Sequence, residues 1–350
     1  MLSPRERVLR TFAFEPVDRV PIDYYANPGI HSRLAAALGV DAEGDGVLEA
    51  LGVDFRGIWP DYTGPVLFPE LPDRLVHPFY GYYSRWVEHE GGGYWDYCDF
   101  PLLNAEPERI AEFPVASPDW FDYEGIPAML KRCDRYALYF GSAGLVDVLN
   151  ATGRVMGTQQ TLINIATHDE ATLRYINRRL DMELSIMERV LEKAKGRIDF
   201  VWMGEDLGTQ RAPMISPKLY RQTLRPMHQR FIDLAKAYDL PVMMHCCGSS
   251  SWAFEDFIEM GVSAVDTLQP EAVDMEPVSI AQRFGGRLVF HGAMSTTGAL
   301  TYGTEQDVVR DAREILAAYM PTRGYCFSPT HMIQNNTPVR NIVAMYNAAH

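Results

Sequence analysis

Short apolar runs alternate with amphipathic stretches along most of the chain. The runs contain many β-branched, aromatic or methionine residues and few charges, as strands buried on both faces do. Strands that alternate with helices predict a parallel sheet joined by right-handed crossovers. The predicted strands are Val20–Tyr24, Phe55–Trp59, Tyr136–Phe140, Ile198–Met203, Leu240–His245, Ser263–Leu268, Arg287–His291 and Tyr325–Ser328.

The stretches between these runs have the three- and four-residue spacing of helices with one apolar face. Over Lys218–Asp239, the pair Ser216 and Pro217 predicts where the helix starts, and Pro226 predicts a kink or break near Arg225. Further helices are predicted over Arg5–Phe12, Trp252–Met260 and Glu305–Met320.

Seven or eight strand–helix units in one chain favour a (β/α)8 TIM barrel over an open doubly wound sheet. No Gly-x-Gly-x-x-Gly follows a predicted strand, which counts against a dinucleotide-binding fold. Residues 54–125 are richer in aromatic residues, Pro and Gly, and they predict an irregular insertion. We therefore expect one barrel domain over residues 1–350, with an N-terminal extension and this insertion.

The insertion contains an aromatic hairpin signal. Residues Phe79–Trp86 and Gly91–Tyr97 alternate in polarity around glycines, which is typical of a β-hairpin. The hairpin either covers a flat substrate or packs on the barrel.

Composition narrows the class of partner. The 350 residues include 32 Lys and Arg against 46 Asp and Glu, a net charge of −14 that disfavours nucleic acid and anionic membranes. The sequence has no apolar run of about 18 residues and no apolar signal core at its start, so no membrane span or leader is expected. The chain has only five cysteines, an odd number, which disfavours a disulfide framework and favours a cytoplasmic protein.

The strongest candidate for chemistry is the segment that ends the Leu240–His245 strand. The C-terminal ends of barrel strands carry the active site. His245 and Cys247 point to the same side of an extended chain, whereas Cys246 points away. An imidazole and a thiolate are two of the ligands that zinc takes, although two ligands do not complete a site. The alternative is a buried strand end with packed thiols and a hydrogen-bonded histidine.

The residues considered so far leave a third metal ligand open. Chemistry favours Cys326, because thiolates suit zinc. Position favours His331, which lies beyond the end of the last predicted strand. Glu205, Asp206 and His291 also lie at strand ends that face the same barrel mouth.

The loop Gly204–Gln210 is the second candidate. Its adjacent carboxylates, Glu205 and Asp206, are candidate catalytic groups, since repulsion between them would raise the proton affinity of one. Gln210, Tyr220 and His291 are candidates for substrate contacts. The alternative is that these side chains cap or hold the loop.

Several segments together resemble the uroporphyrinogen decarboxylase superfamily, and more narrowly its branch of zinc- and corrinoid-dependent methyltransferases. The resemblance covers nearly the whole chain. Its segments are Ser3–Leu9, Pro16–Pro21, Gly204–Gln210, Ile215–Pro217, Met244–Ser249, Asp266–Pro270, Ser328–Gln334 and Thr337–Ile342.

This resemblance implies a (β/α)8 barrel that holds zinc by a His-x-Cys pair and a distant third ligand. The pair corresponds to His245 and Cys247. The register set by the later Thr337-Pro338 places His331 where the family has a cysteine. Two imidazoles and one thiolate remain acceptable ligands for zinc. Glu205 or Asp206 would act as a further ligand or a proton carrier.

The function implied is methyl transfer between a small substrate (a methyl ether, a methylamine-type compound or a thiol) and the cobalamin of a separate corrinoid protein. The runner-up is a metal-assisted decarboxylase or lyase that needs no corrinoid, and a third reading is a binding subunit for a corrinoid protein. Uroporphyrinogen itself is disfavoured, because Tyr24–Pro28 replaces the arginine element of the true decarboxylases. A homodimer is compatible with the family, and Cys98 and Cys133 have no assigned role.

Overall fold

The computed structural model describes residues 1–89 and 92–350. Its strands confirm the alternating pattern. They are β1 Phe55–Ile58, β2 Asp61–Tyr62, β3 Leu75–Val76, β4 Tyr83–His89, β5 Gly92–Cys98, β6 Phe121–Asp122, β7 Ala137–Gly141, β8 Phe200–Gly204, β9 Val242–His245, β10 Ala264–Thr267, β11 Val289–Met294 and β12 Tyr325–Pro329.

Seven of these strands form one parallel sheet in the order β1-β7-β8-β9-β10-β11-β12. The predicted Val20–Tyr24 strand lies between the two edge strands. On one side Ile22 forms a parallel bridge with Phe327 of β12. On the other side its carbonyl accepts a hydrogen bond from the Asp54 amide at 2.9 Å, directly before β1. This irregular segment occupies the eighth position of the barrel, and the α/β barrel class predicted from the sequence is confirmed.

The helices surround this sheet and connect its strands. They are α1 Pro4–Phe12, α2 Pro28–Leu38, α3 Gly46–Ala50, α4 Pro107–Ala111, α5 Ile126–Arg132, α6 Leu149–Met156, α7 Thr158–Ala166, α8 Glu170–Ala194, α9 Pro217–Leu219, α10 Arg225–Ala237, α11 Phe254–Met260, α12 Pro277–Phe284, α13 Ala299–Tyr302, α14 Glu305–Tyr319 and α15 Val339–Ala349. In the described part of the chain, no helix combines the length and apolar character needed to cross a membrane.

The helix predicted over Lys218–Asp239 shows the expected effect of Pro226. Helices α9 and α10 are joined by a π-helical turn over Tyr220–Leu224, which ends two residues before Pro226. Proline lacks an amide proton and its ring collides with the carbonyl four residues earlier, so a wider turn relieves both problems. The turn leaves Tyr220 fully buried against Trp252 and Phe257.

The aromatic insertion contains the predicted hairpin, with β4 and β5 antiparallel and Trp86 opposite Trp95. A short third strand, β3, which the sequence did not predict, pairs with β4. The predicted glycine turn falls partly on residues 90–91, outside the described residues. The hairpin is attached to the barrel through Asn335, whose amide donates to the Gly93 carbonyl at 2.9 Å.

Candidate active site

One row of residues crosses the sheet at the mouth of the barrel. Gly204, His245, Asp266, His291 and Cys326 are register partners on five consecutive strands, β8 to β12. Neighbouring strands in a sheet lie about 4.8 Å apart, so polar side chains of adjacent members of such a row can bond to one another. Residues that lie as much as 122 positions apart in the sequence, Gly204 and Cys326, thus belong to one row.

A chain of hydrogen bonds runs along this row. Asp23 Oδ2 lies 3.1 Å from His291 Nε2, and His291 Nδ1 lies 2.6 Å from Asp266 Oδ1. The other oxygen of Asp266 lies 2.6 Å from His245 Nδ1. Asp266 therefore joins both imidazoles, and its bond to His245 Nδ1 leaves the Nε2 atom for a second partner.

The two carboxylates determine the charge of His291. Burial disfavours its charged form, but Asp266 and Asp23 outweigh burial and raise the pKa of His291 to about 9. In the opposite direction, His291 and His245 overcome burial and hold the pKa of Asp266 well below its usual range. At neutral pH His291 is therefore an imidazolium that donates to a carboxylate on each side.

The other face of His245 belongs to a compact donor cluster. Ligand atoms of Asp206, His245 and Cys247 all lie within 4.8 Å of one another. His245 Nε2 is 3.2 Å from Cys247 Sγ and 3.6 Å from Asp206 Oδ1. The Asp206 carboxylate also accepts from the Cys247 amide at 3.0 Å and from Asn150 Nδ2 at 2.7 Å. Its orientation is thus set by two donors, one in the loop after β9 and one on helix α6.

This donor set suits zinc chemically. Zinc takes imidazole nitrogen, thiolate sulfur and carboxylate oxygen, and three protein ligands leave one position open for a substrate. Asp266 supplies the hydrogen bond that a ligating histidine usually makes through its other ring nitrogen. The cluster therefore has the ligand types and the supporting contact that a catalytic zinc site requires.

His331, predicted as the third ligand, lies at the edge of this cluster. Its ring centroid is 6.4 Å from that of His245, and it is exposed on the cavity wall. Among the described residues it does not belong to the three-atom group, where Asp206 takes the third place.

A cavity of about 460 Å³ opens above the cluster. Its aromatic lining comes from Tyr24, Tyr25, Tyr97, Tyr139 and Trp202. Its polar lining comes from Asp23, Asp147, Asn150, Arg154, Asp206, His245 and His331. Since Tyr97 comes from β5, the aromatic hairpin contributes directly to this wall.

Glu205, predicted as a catalytic group, is turned away from the cavity. Its carboxyl oxygens accept the Val148 and Leu149 amides at 2.8 and 3.0 Å, at the start of α6. Burial raises the pKa of Glu205 to about 8, while burial of His228 lowers the pKa of that imidazole to about 4. At neutral pH a protonated Glu205 can donate to His228 Nε2, 3.2 Å away. These contacts hold the loop, so we assign the cavity role to Asp206.

The other predicted contacts also lie outside the cavity lining. Gln210 is exposed and its side-chain amide lies 3.4 Å from Gln269 Oε1. Tyr220 is buried in the outer helical layer. His291 lies beneath the cavity, between its two carboxylates. Cys326 is 1% exposed within β12, and burial raises the pKa of its thiol well above the usual range.

Sequence analysis missed several residues of this site. Asp23 lies near the end of the predicted first strand and Asp147 lies in the loop after the predicted third strand, so the strand-end rule that selected Glu205 would have found them. Asp266 was identified only as part of a family segment. Asn150 and Arg154 lie on α6, where no sequence pattern distinguishes them from ordinary surface residues of a helix.

Glycines allow the loops that carry the cluster to meet at backbone distance. A Cβ atom on Gly204 would lie 2.2 Å from the Ala143 carbonyl oxygen, and one on Gly208 would lie 2.6 Å from the Ser249 amide. Any other residue would push these loops apart. Gly208 therefore sets the separation between the loops of Asp206 and Cys247, and Gly204 sets the approach of β8 to the loop after β7.

Comparison with known families agrees with this architecture. Residues 198–350, which include β8 to β12 and all three donor residues, match the family model described as uroporphyrinogen decarboxylase (URO-D). These 153 residues, somewhat less than half of the chain, are similar to that family.

Solved structures extend the likeness in fold to the whole chain. A methyltransferase from Methanosarcina mazei aligns over 100% of this chain and 98% of its own, with a TM-score of 0.68 and 15% identity. A D-psicose 3-epimerase solved in the presence of D-fructose aligns over 72% of this chain and 86% of its own, with 12% identity. Its TM-score of 0.35 is too low to support an argument. No curated protein sequence matches the chain significantly.

Proposed function

We propose that this protein is a zinc-dependent methyltransferase. It moves a methyl group between a small substrate, which is a methyl ether, a methylamine-type compound or a thiol, and the cobalamin of a separate corrinoid protein. The observation that carries the proposal is the cluster of Asp206, His245 and Cys247 at the base of the cavity. The fold shared with a methyltransferase from Methanosarcina mazei supports it.

The chain's own residues prepare the cluster for this role. Asp266 orients His245 through Nδ1, and Asn150 orients Asp206. Thr267, in the left-handed region at φ 92°, places its hydroxyl 2.8 Å from the same His245 nitrogen. A β-branched residue seldom adopts this backbone conformation, and such strain is typical of functional sites.

A bound zinc ion would lower the pKa of a thiol or polarise a methyl-bearing heteroatom. The cavity would admit the small substrate, and its aromatic walls would exclude water from the reacting heteroatom. The corrinoid protein would present cobalamin at the open mouth, so this chain need not hold the cofactor tightly.

Metal content tests the proposal directly. We expect wild-type protein to hold about one zinc ion per chain, and Cys247→Ala and His245→Ala to lose it. Cys246→Ser is the matched control, because this neighbouring thiol is buried outside the donor cluster and its sulfur accepts a hydrogen bond from the Leu207 amide at 3.4 Å. Wild-type protein without zinc, or a Cys247→Ala variant that retains it, would contradict the proposal.

Two further variants test whether Asp206 or His331 is the third zinc ligand. If Asp206 completes the site, Asp206→Asn weakens zinc binding while His331→Ala retains it. If His331 completes the site, the order is reversed. Chelator competition on both variants, with Cys326→Ser as a control in the strand, measures the difference.

A metal-assisted decarboxylase or lyase without a corrinoid remains the second candidate, favoured by the family match over residues 198–350. Its signature is substrate turnover in the absence of any corrinoid protein. Uroporphyrinogen itself fits poorly, because it carries eight carboxylates and Arg154 is the only arginine or lysine among the described residues that line the cavity.

A further inference from the structure

The cavity contains a strong donor that the protein leaves unsatisfied. Arg154 lines the cavity, and its Nε atom is buried without a hydrogen-bond partner among residues 1–89 and 92–350. Its ion pair with Asp147 spans 3.8 Å, which is longer than a hydrogen bond. A guanidinium offers five N–H donors, and burying them without acceptors is costly. The arginine therefore lacks the acceptors that a ligand would supply.

The acceptors in the same cavity are already occupied. Asp23 accepts from His291, and Asp206 accepts from Asn150 and the Cys247 amide. Asp147 accepts the Asn150 amide at 2.8 Å. The three aspartates thus have donors of their own, whereas no described residue accepts a hydrogen bond from Nε of the one arginine in the lining. This asymmetry favours a ligand that brings negative charge.

Asp147 does not neutralise the arginine fully. Burial, and after it the nearby Glu205, raises the pKa of Asp147 well above its usual range, which weakens this carboxyl group as a charged partner for Arg154. The other neighbours of the guanidinium are the rings of Tyr97 and Tyr82, whose centroids lie 5.1 and 5.8 Å from its central carbon. These rings stabilise the positive charge but accept no strong hydrogen bond.

The position of Arg154 fits a ligand that also reaches the donor cluster. Arg154 lies four residues after Asn150 on α6, so the two side chains share one helix face about 6 Å apart. Asn150 itself contacts Asp206 of the cluster. A short molecule can therefore contact the arginine at one end and the cluster at the other.

Aromatic residues of the lining suit a flat body for that molecule. Tyr139 and Trp202 lie in the lining, with ring centroids 5.3 Å apart and their planes at 74°. The indole nitrogen of Trp202 is a second buried donor without a partner in the described chain. Aromatic side chains favour contact with flat, apolar groups.

We infer that Arg154 anchors an anionic group of the substrate, so that the methyl donor or acceptor is a small, flat organic monoanion rather than a neutral molecule or a cation. The identity of the reaction in this inference rests on the proposed function. The existence of the anion site does not depend on it.

Three isosteric probes test it by calorimetry on the full chain: 4-methoxybenzoate, 4-methoxybenzamide and 4-methoxybenzamidine, with charges of −1, 0 and +1. We expect wild-type protein to bind the benzoate on the order of 10- to 100-fold more tightly than the amide, as a charge-assisted contact with a guanidinium would give. The amidine should bind most weakly.

Variants assign this preference to one residue. Arg154→Gln should bring the ratio of benzoate to amide affinity close to one, and Arg154→Lys should restore part of it. Arg340→Gln is the matched control, because Arg340 also has an ion pair of 3.8 Å, with Glu305, but lies outside the cavity. Its ratio should equal that of wild-type protein.

A purely structural role for Arg154 predicts a different result. Arg154→Gln would then lower the melting temperature, or weaken all three probes equally, without changing their ratio. That result would overturn the inference, as would wild-type protein that prefers the amide or amidine, or that binds none of the probes. Zinc content measured on the same samples separates the two ideas. If the protein holds no zinc but still prefers the benzoate through Arg154, the proposed function is wrong and the anion site stands.

Discussion

Imidazole groups in this protein differ in charge because their neighbours differ. His291 lies between two carboxylates that raise its pKa to about 9, whereas His77 lies among the rings of Phe79, Tyr80 and Tyr82. Burial lowers the pKa of His77 to about 4, and Arg154 adds to this effect. Burial alone disfavours a charged imidazole, so the supply of carboxylates decides which histidine is cationic.

The depressed pKa of His77 predicts a pH dependence of stability. Between pH 6.5 and 4 the unfolded chain binds a proton at this residue that the native protein does not. Stability from His77 is therefore complete above pH 6.5 and is lost as the pH falls toward 4. We expect a loss of about 1–2 kcal/mol between pH 7 and pH 5, measured by denaturant unfolding.

The His77→Asn variant is the reference for wild-type protein. The asparagine side-chain oxygen can replace His77 Nδ1 as acceptor for the Tyr80 amide, and asparagine does not titrate. The difference in unfolding free energy between wild-type protein and this variant should shrink as the pH falls. A difference that is constant from pH 7 to pH 5 would show that His77 has an ordinary pKa.

At the scale of elements, the site depends on how closely two strand-end loops approach. Gly204–Gln210 follows β8, and Cys246–Ser250 follows β9. The Ser249 amide donates to the Thr209 carbonyl at 2.8 Å, and the Cys247 amide donates to Asp206. The two loops are thus joined backbone to backbone, directly beside the candidate ligands.

Gly208→Ala should separate these loops. The new Cβ would lie 2.6 Å from the Ser249 amide and 2.7 Å from its carbonyl carbon, so backbone must move. We expect a loss of about 1–3 kcal/mol in unfolding free energy, as for other overpacked sites, together with weaker zinc binding.

Gly144→Ala is the control for this variant, since its Cβ would meet only the Ser142 hydroxyl, at 3.7 Å. Unfolding and chelator competition on both variants measure the effects. Equal stability and equal zinc affinity in the two variants would refute the account of loop packing.

At the scale of the whole molecule, the irregular first segment closes the barrel with the help of buried charges. Asp54 is 0% exposed and accepts hydrogen bonds from Arg7 at 2.5 Å, Arg19 at 2.7 Å and the Ile22 amide at 2.8 Å. Its own amide donates to the Ile22 carbonyl. One side chain therefore joins α1, the first segment and β1.

Asp54→Ala should cost about 3–5 kcal/mol, because it leaves Arg7 and Arg19 without their buried partner. Asp18→Ala removes the other carboxylate of Arg7, which is partly exposed at 28%, and should cost about 1 kcal/mol or less. Thermal and denaturant unfolding compare the two, and similar losses would contradict the assigned role of Asp54 in closure.

This cluster also gives the N-terminal segments a structural role. Arg7, Asp18 and Arg19 come from the segments that resemble the superfamily's opening, and they support closure of the barrel at a distance from the cavity lining. The sequence pattern showed the segments but not their purpose, because their common partner, Asp54, lies 35 residues beyond Arg19.

Local sequence alone predicted the strands of the barrel and four of its helical stretches, because hydrophobic periodicity and helix caps act over a few residues. It also placed His245 and Cys247 on one side, since alternation along a strand is a local property. Only the tertiary structure selected Asp206 over Glu205, put Asp266 behind His245, and brought Arg154 to the cavity. The positions of these side chains depend on the register between strands and on which carboxylate accepts the amides at the start of a neighbouring helix. Register and helix contacts both involve residues that are distant in sequence.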